Sequence, residues 1–592
     1  MRVADYLMER LHSAGVRRIF LVTGRGALFL TDAVAKHEGI EAVCMHHEQS
    51  AAFAAIGSAQ ATDTLGACLV STGCAATNAI TGVLSAWQDG VPCVFISGQN
   101  TLAETTRHTG IALRTYGQQE ADIVSLVKPI TKYAAMLTRA ADIVPELEKA
   151  LALATSGRKG PVWLDIPLDL QSSVLAPPGP SLPERLQPLA PSAEEIQTVA
   201  EALAAAQRPV VLIGSGVRAA GAREALARFV ERWNLPVTYA ASAPDTYGSA
   251  RSLCVGSVGA MGCSRAGNFA VQNADLILVL GCRLTSLTTG TEPCKFARAA
   301  RVLVVDIDPA EHAKATIAID RLVTADAGAV LAALEALPPS LAPEAWVDRC
   351  RHWKTRFAPV EPAFTSPERV DLYVLAEALS EALPATATLV TDSGSAEVIL
   401  PTNVRFGPGM ACVHPASQGA MGYALPAAIG ACCARPEPTI AVIGDGSIMM
   451  NLQELETVRY RQLPIKILVI NNNAYSIIRR RQQGLFRTRT IGTDPDNGVS
   501  CPNFHQVAGC FGLTYRRIDG PDGLVAALEA VFAEPGPVLC EIMGRPDQGY
   551  IELGHTRSEV TRRVVRRPLE DQAPFLDRAE FLAEMIVEPI DQ

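Results

Sequence analysis

One pattern runs through most of this chain and fixes what it can become. Short runs of Val, Ile and Leu alternate with Ala-rich stretches of helical period. The runs at residues 19–22, 67–70, 94–96, 210–213, 276–280, 302–305, 440–443 and 467–470 are apolar throughout, with no polar residue at every second position. A strand with one face in water alternates; a strand covered on both faces by helices does not. The fold class expected is α/β, built from doubly wound parallel sheets.

Prolines divide the pattern. Pro177, Pro178, Pro180, Pro183, Pro188 and Pro191 crowd residues 175–191, and a second proline-containing passage covers 338–365. Proline lacks an amide hydrogen and suits an extended connection better than the inside of an element. The expected units are therefore 1–174, 192–337 and 366–548, with linkers at 175–191 and 338–365 and a tail or lid at 549–592. The first and third units both place a glycine-containing turn after a strand, so they are candidates for related folds.

Bulk properties remove several function classes. At 48% apolar and 19% charged residues the chain has ample material for cores and does not read as disordered. A net charge of −9 gives no reason to expect nucleic acid or an anionic membrane as partner. The 15 cysteines include no C-x-x-C pair, which favours free thiols in a reducing compartment over disulfides or zinc. Residues 1–11 read as an amphipathic helix with Val3, Leu7 and Leu11 on one face, where charges break up any signal-peptide core. With no long uncharged apolar run, a cytoplasmic, membrane-free protein is expected.

The most specific chemistry lies in the third unit. Ala441-Val442-Ile443-Gly444-Asp445-Gly446-Ser447 takes a strand into a tight turn, a helix pattern follows at 448–460, and a second strand ends in Asn471-Asn472-Asn473. Gly444 and Gly446 allow a diphosphate close to the backbone, with the amides that open the helix, Ser447 among them, pointing at it. If the strands are neighbours, Asp445 and Asn472 stand side by side and offer two oxygens to Mg²⁺. A lone GDG also fits an ordinary strand–turn–helix with an Asp cap. The Asn pair 27 positions after Asp445 separates the two readings.

This combination resembles the thiamine-diphosphate enzymes. The resemblance implies thiamine diphosphate and Mg²⁺ as cofactors, a pyrimidine-binding first unit, a middle unit and a diphosphate-binding third unit. It implies Asp445, Asn472 and the backbone carbonyl of Ala474 as metal ligands. Gly419-Ala420-Met421-Gly422-Tyr423-Ala424-Leu425-Pro426 is also similar to the family. There the residue matching Met421 wedges between the coenzyme rings, and the carbonyl matching Gly419 accepts a bond from the aminopyrimidine. Plain core filling is the alternative for a methionine.

In the first unit Cys44-Met45-His46-His47-Glu48-Gln49 runs from strand to Ala-rich helix. A carboxylate there is already favourable as a helix cap. The stretch is similar to the acetolactate synthase branch, which implies that Glu48 activates the coenzyme through its pyrimidine nitrogen. A carboxyl with raised proton affinity suits that relay. Ser71-Thr72-Gly73-Cys74-Ala75-Ala76-Thr77-Asn78 stands where the branch has SGPGATN, implying cofactor contact by Asn78. Gln118-Gln119-Glu120 implies Gln119 in the substrate pocket, and Ser395-Ala396 replaces a Gln-His pair, leaving Ser395 at the diphosphate. In the family Glu48 and the metal turn meet across a two-fold axis, which implies a homodimer, with homotetramers common.

The middle unit carries Gly214-Ser215-Gly216-Val217-Arg218-Ala219 after a strand, a weak nucleotide motif alone. The stretches around Met261 and Gly262, Arg283, and Asp306 resemble those that hold FAD in acetolactate synthases, where the flavin is largely structural. An empty middle unit or ADP are the alternatives found in relatives.

Three departures from acetolactate synthase bear on the substrate: Leu168 replaces the Lys of an LPKD segment, Arg481 replaces a Trp, and Ser395-Ala396 replaces Gln-His. The segments 127–133, 492–495 and 568–578 are instead similar to a sub-branch that builds branched sugars, that of the yersiniose-pathway flavoenzyme. The function implied is decarboxylation of a 2-oxoacid such as pyruvate and transfer of its two-carbon acyl unit to an acceptor carbonyl, here a keto-sugar nucleotide. Arg479, Arg480, Arg481, Arg487 and Arg489 are candidates for the acceptor's diphosphate, or else a solvated helix face; Arg562, Arg563, Arg566 and Arg567 are weaker candidates. The rival readings are an anabolic acetolactate synthase, a C–C-cleaving hydrolase or non-ligating decarboxylase on the same fold, a nicotinamide oxidoreductase using GxGxxA, and a non-catalytic binding protein.

Overall fold

The computed structural model describes residues 1–590 apart from 176–186, 315, 358, 359, 488 and 559. Eighteen strands form three six-stranded sheets. The first holds β1 (Arg18–Leu21), β2 (Glu41–Cys44), β3 (Gly66–Val70), β4 (Cys93–Gln99), β5 (Tyr133–Met136) and β6 (Val162–Pro167). The second holds β7 (Pro209–Ile213), β8 (Val237–Ala240), β9 (Cys254–Val258), β10 (Leu276–Leu280), β11 (Arg301–Asp306) and β12 (Arg321–Thr324). The third holds β13 (Thr388–Thr391), β14 (Ala411–Val413), β15 (Thr439–Gly444), β16 (Lys466–Asn471), β17 (Thr514–Ile518) and β18 (Val538–Met543). The expected class is what forms: neighbouring strands in all three sheets are parallel, and β3, β7, β10 and β13 are buried along their whole length.

The first and third sheets share one strand order, β2-β1-β3-β4-β6-β5 and β14-β13-β15-β16-β18-β17, whereas the middle sheet runs β12-β11-β10-β7-β8-β9. The first and third units are thus the same topology used twice. The central reversal of strand order falls between β1 and β3, β10 and β7, and β13 and β15. Crevices for ligands open at the carboxyl ends of such strand pairs.

The helix Glu48–Thr62 of the first unit packs on the helix Ala424–Ala434 of the third, within one shared core. Both carry the tetrapeptide Ala-Ala-Ile-Gly, at 54–57 and 427–430. A methyl group on Gly57 would come 2.2 Å from the Ala427 carbonyl oxygen, and one on Gly430 would come 1.9 Å from that of Ala54. The two helices therefore touch backbone to backbone, reciprocally, and only glycine fits at either crossing.

Arg218 joins all three units: its guanidinium reaches Asp63 and the Gln60 carbonyl in the first, Asp245 in the middle and the Cys412 carbonyl in the third.

The second expected linker is corrected by the structure. Residues 338–365 contain the helix Glu344–Arg356, whose Trp346, Val347, Cys350 and Trp353 are buried against the middle unit. The prolines bracket this helix and leave its interior free, so their density marked its ends. Of the first expected linker, 176–186 lie outside the described residues. The tail crosses the middle unit, where Arg265 donates to the carbonyl oxygens of Gln572 and Pro574, Asn268 to Gln572 and Gln272 to Glu570. No helix among the described residues is long and apolar enough to cross a membrane.

Candidate coenzyme site

β15 and β16 pair in register, Gly444 beside Ile470, which delivers Asp445 and Asn472 to adjacent strand ends. Asp445 is 2% exposed. Its Oδ2 accepts from the backbone amides of Asn472 (3.0 Å) and Asn473 (2.5 Å), and its Oδ1 from that of Gly446. Burial raises this carboxyl above the usual range against the pull of those donors. No arginine, lysine or histidine bonds to it among the described residues. Asn472 Oδ1 accepts from the Ala474 amide at 3.1 Å, so side chain and backbone are held as one turn.

Gly446 is required by packing: a methyl group there would lie 2.1 Å from the Tyr475 ring. Gly444 meets only ordinary contacts within the chain, which leaves its outer side for a ligand. The helix expected over 448–460 is two pieces, Asp445–Ile448 and Glu454–Tyr460. The break frees Asn451, fully buried, to donate to the Gly422 carbonyl and to Gln49, while accepting from Ser50.

Across the crevice, Asp392 follows β13 and gathers three loops. It accepts from the amides of Gly422 (3.1 Å), Ala424 (2.7 Å) and Ser393 (2.8 Å) and from the Ser447 hydroxyl. Burial nevertheless pushes its carboxyl up to about 6. Gly419 and Gly422 both take positive φ, +60° and +78°, and between them Met421 projects with 39% exposure. Core filling is thereby ruled out for Met421. Ser395 opens the helix Ser395–Asn403, its hydroxyl 3.3 Å from that of Ser476.

These residues fit a magnesium diphosphate. A buried carboxylate without a cationic side chain partner calls for a positive charge, and none of the side chains named around the crevice supplies it. Among the described residues no three His, Cys, Asp or Glu could hold a metal together. Mg²⁺ here would take Asp445, Asn472 and the Ala474 carbonyl and complete its shell with phosphate oxygens and water. Glycine backbone and the hydroxyls of Ser395 and Ser447 would face the diphosphate.

The first unit brings its candidates to one corner. Glu48 begins the helix after β2, but the cap is His47, whose ring accepts from the Gln49 amide. Freed from capping, the Glu48 carboxylate accepts from Asn78 at 2.9 Å. Gln119 has φ +59° and is exposed, and its carbonyl lies against Gly73, in the turn ahead of Asn78. Among the described residues no hydrogen bond or ion pair joins Glu48 to Asp445 within one chain; Asn451 ties the start of the Glu48 helix to the Gly422 turn instead.

In the middle unit Gly214 and Gly216 meet Gly281 and Cys282 at the reversal of strand order, and their amides bond to Leu280 and Gly281. Arg283 donates to the Gln88 carbonyl and to Ser417, so it spans all three units. Met261 bridges to Glu552 in the tail, the Gly262 carbonyl accepts from Tyr373, Thr402 and Asn403, and Asp306 accepts from the Asp308 amide. Small residues keep this crevice open in backbone terms, while many of its amides are engaged within the chain.

Among the arginines, Arg479 pairs with Asp494 and the Pro546 carbonyl, and Arg480 pairs with Glu552 and lies over the Tyr550 ring. Both bond within the protein, and Arg481 reaches the Met261 sulfur, at 4.0 Å, and Tyr550. Sequence reasoning missed Asp392 and Asn451. No local pattern marks them, because their partners come from distant turns.

The comparisons agree with this geometry. Residues 1–126 match the thiamine pyrophosphate enzyme N-terminal TPP binding domain, 196–334 the central domain and 392–542 the C-terminal TPP binding domain. The acetolactate synthase large subunit of Parasynechococcus marenigrum (strain WH8102) is 33% identical over 556 residues, covering 91% of this chain and 87% of the relative. The isozyme 2 large subunit of Escherichia coli (strain K12) is 32% identical over 550 residues, 92% of this chain and 95% of the relative. A probable acetolactate synthase 2, chloroplastic, from Oryza sativa subsp. japonica is 33% identical over 561 residues, 91% and 82% of the two chains. The chain belongs to the thiamine pyrophosphate enzyme family, with acetolactate synthase large subunits as its relatives.

Proposed function

We propose that this protein is a carboligase that decarboxylates a 2-oxoacid, most simply pyruvate, and joins the two-carbon acyl unit to an acceptor carbonyl. The observation that carries the reading is the buried Asp445 beside Asn472 at the ends of β15 and β16, facing the Asp392 node. Thiamine diphosphate, when bound, supplies the electron sink that lets carbon dioxide leave. The chain's own residues do the rest. Asp445, Asn472 and the Ala474 carbonyl would hold Mg²⁺; Gly444, Gly446, Ser447 and Ser395 would face the diphosphate; Met421 would pack against the coenzyme, and the Gly419 carbonyl would accept from its amine. Glu48, held by Asn78, would exchange a proton with the pyrimidine of a coenzyme held mainly by a second copy, and Gln119 would line the pocket.

The exposed Met421, Met449, Met450, Ile478, Leu485, Phe486 and Ile491 near the cradle support a homodimer or homotetramer with the site at its interface. FAD in the middle crevice, held by Gly214, Gly216, Met261, Gly262, Arg283 and Asp306, is a structural part of this reading. So are a cytoplasmic location and, apart from the 338–365 linker corrected above, the unit boundaries. For the acceptor, Leu168, Arg481 and Ser395-Ala396 favour a keto-sugar nucleotide, as in the yersiniose-pathway sub-branch. The relatives named acetolactate synthase favour a second reading, in which the acceptor is another 2-oxoacid.

Mass spectrometry of products from pyruvate, alone and with panels of keto-acids and keto-sugar nucleotides, separates the two. Free aldehyde or acid as the sole product would remove both. Asp445→Asn is expected to abolish Mg²⁺-dependent coenzyme binding while circular dichroism stays unchanged; retained binding would displace Asp445 from the site.

A further inference from the structure

The crevice holds a carboxyl to which the reading above gives no task. Glu397 stands in the first turn of the helix Ser395–Asn403. Its Oε2 lies 3.1 Å from where a methyl group on Gly419 would sit. On its other side the same helix backs onto the middle unit, where a methyl group on Gly262 would come 2.1 Å from the Val398 carbonyl oxygen. Glu397 is therefore placed beside the Gly419–Met421 turn, partly buried, and it makes no hydrogen bond or ion pair among the described residues.

Its charged surroundings are acidic. Asp89, from the end of the helix Ile80–Asp89 in the first unit, and Asp392, from the end of β13, both act on it; Arg283 acts on Asp89. Burial, then these two like charges, push Glu397 up to about 8. At neutral pH it holds its proton, as an acid with no protein acceptor. A first-turn glutamate kept only for the helix dipole would be ionised and in solvent.

We propose that Glu397 is a catalytic residue of the ligation half-reaction, serving as proton donor and then proton acceptor beside the Gly419 turn. As the new carbon–carbon bond forms, the π electrons of the acceptor carbonyl move onto its oxygen, which takes the proton of Glu397 and becomes a hydroxyl. The resulting carboxylate takes the proton of the donor-derived hydroxyl as that carbon becomes the product ketone and its bonding electrons return to the coenzyme. One proton is given and one regained, so the residue ends as it began. General acid–base help of this kind contributes about 10²–10⁴-fold.

This inference rests on the carboligase reading, and the test separates the two. Full-length wild type, Glu397→Gln and Asp89→Asn are compared with thiamine diphosphate, Mg²⁺ and a panel of 2-oxoacids and acceptors. Carbon dioxide release and ligated product are measured separately. Ligation by Glu397→Gln is expected to fall about 100-fold or more relative to its carbon dioxide release, with free aldehyde taking the place of product. A second readout uses protein free of coenzyme. Infrared difference spectra are expected to show a protonated carboxyl band at neutral pH that Glu397→Gln lacks, and whose titration Asp89→Asn moves to lower pH. An unchanged ratio of product to carbon dioxide in Glu397→Gln, or a carboxyl band unaltered by that substitution, overturns the inference alone. A wild type that releases no carbon dioxide from any 2-oxoacid overturns the carboligase reading and this inference with it.

Discussion

Glu48 and Asp392 are both acids, yet the structure uses them in opposite ways. Asp392 is enclosed by four donors and fixes the positions of Gly422, Ala424 and Ser447. Among the described residues Glu48 has one hydrogen-bond partner, Asn78, and it remains partly exposed. Replacing Glu48 with Gln keeps that bond's geometry and removes the ionisable group. Coenzyme activation is expected to slow about 10²–10⁴-fold, with the unfolding midpoint and Mg²⁺ binding unchanged; C2 proton exchange on the coenzyme, followed by NMR, checks this. At this scale Asp445 and Asn472 were legible, because strand, glycine turn and spacing confine them to one place. Asp392, Asn451 and Glu397 were not. Each is defined by atoms from loops far away in sequence, and burial alone gives them their properties.

Among the elements, the two Ala-Ala-Ile-Gly helices carry the contact between the first and third units. Gly430→Ala would set a methyl group 1.9 Å from the Ala54 carbonyl oxygen, and the expected loss is about 1–3 kcal/mol or more. Gly57→Ala meets the reciprocal clash, so the double variant should lose less than the two single losses added; urea denaturation of all three measures it. The doubly wound class was legible from apolar runs, since only double-sided burial erases alternation. The helix Glu344–Arg356 was hidden by the prolines at its ends. The break between Ile448 and Glu454 was hidden too, because it serves Asn451, a tertiary contact that no periodicity records.

For the molecule as a whole, the junction around Arg218 and the ring of His414 binds the three units. Burial lowers His414 to about 4 from the usual 6.5, outweighing the opposite effect of Asp245. The sign follows directly: as pH falls, the unfolded chain takes up this proton first, so stability is full above 6.5 and is lost toward 4. This group alone should remove about 3 kcal/mol across that interval. His414→Gln is expected to flatten the pH dependence of the urea midpoint by that amount, whereas a curve parallel to wild type would show that the ring titrates normally.

The tail carries a consequence for how the chain is made. In the helix Arg265–Asn273 every residue is buried, and Arg265, Asn268 and Gln272 find acceptors in residues 570–574. Those acceptors leave the ribosome some 300 residues later. Units usually fold as they emerge, but this one has only its nearer partners, Glu361 for Arg265 and the Gly259 and Lys295 carbonyls for Asn268 and Gln272, until residues 570–574 follow. A chain stopped at residue 548 should therefore show fast amide hydrogen exchange across 265–273 while the outer two sheets stay protected. The middle unit, translated second, gains its full set of contacts only after the third unit has been made.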